Sequence, residues 1–151
     1  AGSITRTCGP QMDWIGGRAF SDCLSLKDID MPKSLLVLSP GLFNCCYSLN
    51  SIEIPNDTIE IGAYVFYNCR HLKKISTSVV RFIDDFAFTH CESLSVVNMN
   101  IDNMVLGANV FSSCKSLTCI KVKKGSKDYY LDIFSSSHNA SFTNIIVEDV
   151  D

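Results

Sequence analysis

The sequence lacks a long hydrophobic run, and no stretch approaches the roughly 18 apolar residues that a membrane-spanning helix needs. It shows no charged segment followed by an apolar one at its start, which is the pattern of a secretory signal peptide. It also lacks a charge excess, because 13 Lys and Arg against 16 Asp and Glu leave a net charge of −3. A dedicated nucleic-acid-binding protein is usually strongly basic. With 46% apolar and 19% charged residues, the 151-residue chain is expected to form one globular domain.

The motifs of common catalytic and metal sites are missing as well. There is no Cys-x-x-Cys pair of the zinc type, no Gly-x-Ser-x-Gly and no His-Glu-x-x-His. His90 precedes Cys91 and His71 lies two residues after Cys69, but both cysteines belong to a repeat that predicts inward-facing side chains. The sequence therefore predicts a protein that is not an enzyme and has no catalytic, metal-binding or cofactor-binding residues.

Cysteine, in contrast, is abundant, and five of the eight cysteines are evenly spaced. They lie 23, 23, 22 and 23 residues apart, at Cys23, Cys46, Cys69, Cys91 and Cys114. Each stands in the frame Phe-x-x-Cys-x-x-Leu-x-x-Ile, with Val97 replacing Ile in the fourth copy. Frames that recur in register indicate a repeat protein, in which each unit buries its apolar side against its neighbours.

A sixth copy is eroded. Phe134 keeps the register of Phe111, but Ser137 stands where the frame has Cys. Ile145 and Val147 then continue an apolar strand. Terminal repeats are usually atypical because they face water. We expect one domain with a cap or degenerate coil at 1–14, regular repeats at 15–126, and a degenerate repeat and tail at 127–151.

Each repeat predicts a short strand followed by a turn or short helix. In the strand, alternate residues point inward. The predicted inward residues are Ile29, Met31, Ile52, Ile54, Val97, Met99, Ile120 and Val122. Phe and Cys, three residues apart, share one face of a helical turn. Stacked strands about 4.8 Å apart then form a parallel sheet.

The complete pattern is Ile-Gly-x-x-(Ala/Val)-Phe-x-x-Cys-x-x-Leu-x-x-Ile, seen best at 61–75 after Ile54-Pro55. It resembles the BspA-like leucine-rich-repeat family over residues 12–147. The resemblance implies an α/β fold, a right-handed leucine-rich-repeat solenoid with one short parallel strand and a short helix or turn per repeat of about 23 residues. It also implies a surface or secreted protein that adheres to host matrix or cell-surface proteins.

The periodic cysteines are predicted to be small buried hydrophobes, since free cysteine is among the most buried residue types. Their sulfurs lie about one strand spacing apart, which is too far for a disulfide without backbone movement. The phenylalanines at the fixed position are likewise predicted to form a core spine. Cys8, Cys45 and Cys119 lie outside this periodic series, and Cys119 falls at an outward strand position, where a thiol is open to reaction.

The outward strand residues form the predicted binding site. In a solenoid they line a continuous concave face, the usual surface for a protein partner. They are Asp28, Asp30, Ser51, Glu53, Lys74, Ser76, Val96, Asn98, Cys119 and Lys121. The face runs from acidic to basic. The sequence predicts a protein partner bound here, with no nucleic acid and no membrane insertion. It leaves open end-to-end self-association and, as an alternative function, a structural repeat module of a larger protein with no dedicated ligand.

Overall fold

A computed structural model describes residues 14–77, 79–99 and 101–149. The predicted cap at 1–14 lies outside the described residues except for Trp14. The elements, in chain order, are β1 (Val37–Leu38), β2 (Glu60–Ile61), β3 (Lys74–Ser76), β4 (Phe82–Ile83), β5 (Val96–Met99), β6 (Val105–Leu106), β7 (Cys119–Val122), α1 (Lys127–Ser136), a 3-10 helix (Ala140–Ile145) and β8 (Ile146–Glu148).

The strands form two parallel sheets, ordered β1-β2-β4-β6 and β3-β5-β7-β8. Every pairing joins equivalent strands of successive repeats, as Ile61 opposite Ile83 shows. The repeat fold is confirmed, and the structure adds a second strand to the repeats of the first sheet. That strand ends at the Ile position of the Ile-Gly part of the motif. This residue, such as Ile61 or Ile83, is buried, whereas the other strand residue is not.

The core is built around the predicted column of phenylalanine rings. Successive rings lie nearly parallel with centroids 5.2–6.0 Å apart. The column consists of Phe20, Phe43, Phe66, Phe88, Phe111 and Phe134. All of them except Phe20, which is half-buried, are closed to solvent. The prediction of a core spine is confirmed.

The segment that carries Phe and Cys consists of consecutive turns in the regular repeats, so the helical alternative is wrong there. The cause is the backbone, because each segment contains two residues with positive φ. In one repeat these are Gly41 (φ 69°) and Cys45 (φ 60°). A right-handed helix cannot pass through such residues. Their N–H groups donate to carbonyls of the next repeat, Gly41 to Ala63 and Cys45 to Tyr67.

These positions define two rows along the molecule. The first left-handed row contains Arg18, Gly41, Tyr64, Phe86 and Asn109, and the second contains Asp22, Cys45, Asn68, His90 and Ser113. Each row places one residue per repeat on the turns.

The predicted strands at 29–31 and 52–54 are not formed. Asp30 makes an isolated bridge, and residues 52–54 have no strand assignment. Both segments run directly into proline, at Pro32 and Pro55. Proline has no N–H to donate to a ladder, which accounts for the loss. Met31, Ile52 and Ile54 are therefore only partly buried against the core.

The eroded repeat contains the one α-helix among the described residues. Phe134 on α1 extends the ring column, and the Tyr130 hydroxyl donates to the Ile101 carbonyl (2.7 Å). β8 pairs with β7 so that Ile146 lies opposite Ile120. Ile146 is buried and Val147 exposed, so the predicted register of Ile145 and Val147 is wrong. Because this repeat contains helical segments, its buried strand residue is Ile146 and not Ile145 or Val147.

Candidate partner-binding face

Strand register brings six of the ten predicted site residues together. One row across the sheet contains Lys74, Val96 and Cys119, and the next contains Ser76, Asn98 and Lys121. Neighbours in a row are about 4.8 Å apart, the spacing of paired strands. We call these six residues and Val147, which lies opposite Lys121, the sheet face.

The other four predicted residues lie in the two repeats that form no strand. Asp30, Ser51 and Glu53 are exposed and Asp28 is half-buried. Ladder hydrogen bonds do not fix their positions as they fix those of the sheet face. The structure therefore places them at outward positions of the chain but does not bring them into the sheet.

Charge along these residues is graded. The acidic side chains belong to the first two repeats, and Lys74 and Lys121 to β3 and β7. Neither lysine forms an ion pair within the described residues; the pair of Lys123 with Asp102 (3.0 Å) is exposed and lies off the face. Unpaired exposed charges of this kind influence the rate and specificity of association more than its strength.

At the centre of the face, the Asn98 side chain has an unsatisfied acceptor. Its Oδ1 is buried and has no hydrogen-bond partner among the described residues. A buried polar atom left without a partner costs about 1–3 kcal/mol. This unsatisfied acceptor distinguishes Asn98 from its neighbour Val97, which is apolar and fully buried.

The four buried cysteines of the periodic series form hydrogen bonds that sequence reasoning missed. Each buried thiol donates a hydrogen bond to the carbonyl of the phenylalanine in the preceding repeat. The pairs are Cys46 with Phe20 (3.0 Å), Cys69 with Phe43 (3.3 Å), Cys91 with Phe66 (3.1 Å) and Cys114 with Phe88 (3.1 Å). The Phe-x-x-Cys spacing could not reveal them, because the accepting carbonyl belongs to the phenylalanine of the preceding repeat and not to the phenylalanine three residues before the cysteine.

Burial keeps these thiols protonated. It raises the pKa of Cys46 and of Cys114 from 9.0 to about 12, and it raises the pKa of Cys69 and of Cys91 well above that ordinary value. A protonated thiol is a donor and not a nucleophile. All seven described cysteines are free, and Cys46, Cys69, Cys91 and Cys114 are buried as predicted. Cys23 departs from the prediction because it is only half-buried.

The histidines have structural contacts. His71 Nδ1 bonds to the Tyr47 carbonyl, in the place where Ser48 Oγ donates to the Leu24 carbonyl (2.6 Å) in the previous repeat. His90 stands edge-on to Tyr67, with centroids 5.5 Å apart.

Within the described residues no three His, Cys, Asp or Glu side chains are grouped to hold a metal ion. In the same part of the chain, no helix is long and apolar enough to cross a membrane.

The repeat geometry agrees with a family match. Residues 13–141 match six copies of the BspA type leucine rich repeat region. The chain belongs to the BspA-type leucine-rich-repeat family. Proteins of this family contain repeat modules that are suited to protein–protein interaction. Comparison with curated proteins gave no match.

Three crystal structures are similar to this leucine-rich-repeat chain. A leucine rich cell surface protein from Faecalibacterium prausnitzii is 27% identical, with a TM-score of 0.78, over 91% of this chain and 35% of that one. The T. pallidum leucine rich repeat protein is 25% identical, with a TM-score of 0.71, over 79% and 57%. A leucine-rich repeat protein from Bacteroides ovatus is 24% identical, with a TM-score of 0.63, over 80% and 37%. The chain thus spans between about a third and somewhat over half of these structures.

Proposed function

We propose that this leucine-rich-repeat chain is a non-enzymatic recognition module. It binds a protein partner through the sheet face, extended by Asp28, Asp30, Ser51 and Glu53 of the preceding repeats. The register of β3, β5 and β7 carries the proposal, because it aligns outward side chains in two rows, with Lys74 in one and the polar Ser76, Asn98 and Lys121 in the other. Their buried neighbours, such as Ile75 and Ile120, belong to the core.

The partner in this proposal is a matrix or cell-surface protein, and the chain acts in adhesion at a cell surface or after secretion. The support is the family match and the similar Faecalibacterium prausnitzii structure, which is described as a cell surface protein. The charge gradient favours a partner with the opposite gradient, basic where Asp30 and Glu53 lie and acidic where Lys121 lies.

The test reverses charge on the face. The wild type and the variant Glu53→Lys/Lys74→Glu/Lys121→Glu are immobilised and exposed to cell-surface and matrix protein extract. A control, Asp57→Lys/Arg81→Glu/Lys115→Glu, changes net charge equally at exposed positions off the face. Proteins captured by the wild type are purified, and their affinities for all three chains are compared.

We expect a partner that binds the wild type and the control but binds the face variant at least tenfold more weakly. Equal binding to all three chains would show that the face is not the site. No partner for any of them would favour the alternative, a structural repeat module of a larger protein.

A further inference from the structure

Two bulky aromatic residues lie in the first left-handed row, where the backbone disfavours them. Tyr64 has φ 59° and Phe86 has φ 58°. The same row contains Gly41 and Asn109, residue types that tolerate this conformation. A large ring at such a φ is uncommon, and strained backbone of this kind concentrates at functional sites.

The two rings form a cluster in which Tyr64 is exposed and Phe86 is half-buried. They stack with centroids 5.1 Å apart and an interplanar angle of 15°. Tyr64 is 39% exposed. Tyr67 packs against Tyr64 at 5.4 Å, and His90 stands edge-on to Tyr67 at 5.5 Å. We call Tyr64, Tyr67, Phe86 and His90 the aromatic platform; it lies on the turns and shares no residue with the sheet face.

The platform has polar groups that the fold does not use. The hydroxyls of Tyr129 and Tyr130 both donate to backbone carbonyls. The hydroxyls of Tyr64 and Tyr67 make no hydrogen bond within the described residues. They remain open to a ligand that carries hydroxyl groups of its own.

Phe86 of the following repeat stacks on the ring of Tyr64. The preceding position in the row is Gly41, which has no side chain, and the stem of the exposed Arg18 lies close to it. Because 39% of Tyr64 is exposed, the cluster combines a solvent-accessible ring with the tyrosine hydroxyls and the His90 imidazole around it.

We infer that the aromatic platform binds a saccharide ring, separately from the protein partner proposed for the sheet face. The C–H groups of a sugar ring pack on an aromatic face, and its hydroxyls bond to the tyrosine hydroxyls and the His90 imidazole. Size favours this ligand over a folded protein. The platform spans two repeats, roughly 10 Å at about 4.8 Å each, whereas a stable protein interface needs about 800 Å² per partner.

The test uses arrays of purified immobilised oligosaccharides, beside a matching array of unglycosylated synthetic peptides. The main variant is Tyr64→Gly/Phe86→Gly, which removes the rings and leaves a residue suited to the backbone. Tyr64→Asn/Phe86→Asn is a second variant, because Asn already stands in this row at position 109. Phe82→Ala is the control, an exposed aromatic residue outside the platform. Urea unfolding of every variant reports the fold.

We expect the wild type and Phe82→Ala to bind at least one oligosaccharide, and both double variants to bind it at least tenfold more weakly while unfolding at no lower urea concentration. The charge-reversed sheet-face variant should retain this binding, so the two proposals fail independently. Absence of oligosaccharide binding, or binding unaffected by the double variants, would overturn the inference. Platform-dependent binding to peptides alone would also overturn it, in favour of a protein ligand.

Discussion

At the scale of single residues, inward and outward positions in this protein differ sharply in what they contribute to the free energy of unfolding. Leu72 is fully buried in the core, and Lys74 two residues later is exposed on the sheet face. Truncating a buried leucine leaves a cavity, whereas an exposed lysine loses only contacts with water.

We predict that Leu72→Ala lowers the free energy of unfolding by roughly 2–5 kcal/mol, and that Lys74→Ala changes it by less than about 0.5 kcal/mol. Urea unfolding of both variants checks this. Similar losses from the two changes would mean that the inward and outward assignment of β3 is wrong.

The buried thiols link stability to alkaline pH. Their pKa is 9.0 in an ordinary environment and about 12 for folded Cys46 and Cys114. Above pH 9 the unfolded chain releases protons that the folded chain retains, so stability is complete below pH 9 and falls as pH rises toward 12.

We predict that each such thiol removes about 1 kcal/mol of stability between pH 9 and 10. Lysine and tyrosine also titrate in this range, so the measurement compares the wild type with Cys114→Ala. The variant starts less stable at pH 7 but should show a shallower decline above pH 9. Parallel declines would show that the Cys114 thiol is not held protonated.

Backbone strain on the platform exceeds the stabilisation that stacking returns. The left-handed conformation of Tyr64 and Phe86 costs about 2–4 kcal/mol for the two residues together, and their one stack returns about 0.5–1.5 kcal/mol. The glycine variants of Tyr64 and Phe86 are therefore expected to stay folded.

At the scale of elements, one side chain connects the last repeat to the one before it. Asn139 is 1% exposed. Its Oδ1 accepts from the Val110 N–H (2.9 Å), and its Nδ2 donates to the carbonyls of Gly107 (3.0 Å) and Ser137 (2.8 Å). In the regular repeats the N–H equivalent to that of Val110 bonds within its own turn, as Val65 does to Gly62.

We predict that Asn139→Ala lowers the free energy of unfolding by roughly 2–3 kcal/mol, because it leaves buried backbone groups without partners. Asn144→Ala, an exposed asparagine in the 3-10 helix, is the matched control and should cost little. Thermal and urea unfolding measure both. If Asn139→Ala behaved like its control, the bonds of Asn139 would not stabilise the fold.

Strand and turn elements were predictable to different degrees. The alternation around Ile75, Val97 and Ile120 predicted the sheet of β3, β5 and β7, because a two-residue period has one inward face. The sequence also contains Pro32 and Pro55, which directly follow the strands predicted at 29–31 and 52–54. Because proline cannot donate a ladder hydrogen bond, these strands did not form, although the alternation of apolar residues predicted them. The sheet of β1, β2, β4 and β6 was missed because its strands are two residues long, too short for a period to appear.

At the scale of the whole molecule, the C-terminal repeat closes one end of the core. Tyr130 and Phe134 on α1 are buried, and Phe134 covers the ring of Phe111. β8 pairs along β7, which otherwise ends the second sheet. An uncovered apolar end and a free strand edge favour association with another chain.

We predict that removing residues 127–151 produces a chain that self-associates in a concentration-dependent manner. Removing only 150–151 should leave the association state unchanged. Size-exclusion chromatography with light scattering distinguishes the two, and a truncated chain with the same association state as its control at high concentration would contradict the closing role of α1 and β8.

By itself, the sequence determined the repeat, its family and the inward residues of β3, β5 and β7, because a period of about 23 residues requires each unit to bury the same positions. Tertiary structure alone decided the rest. The thiol bonds to phenylalanine carbonyls, the left-handed rows and the aromatic platform all join residues of neighbouring repeats. Such contacts depend on how the backbone of one repeat lies on the next, and no pattern within a single repeat contains that information.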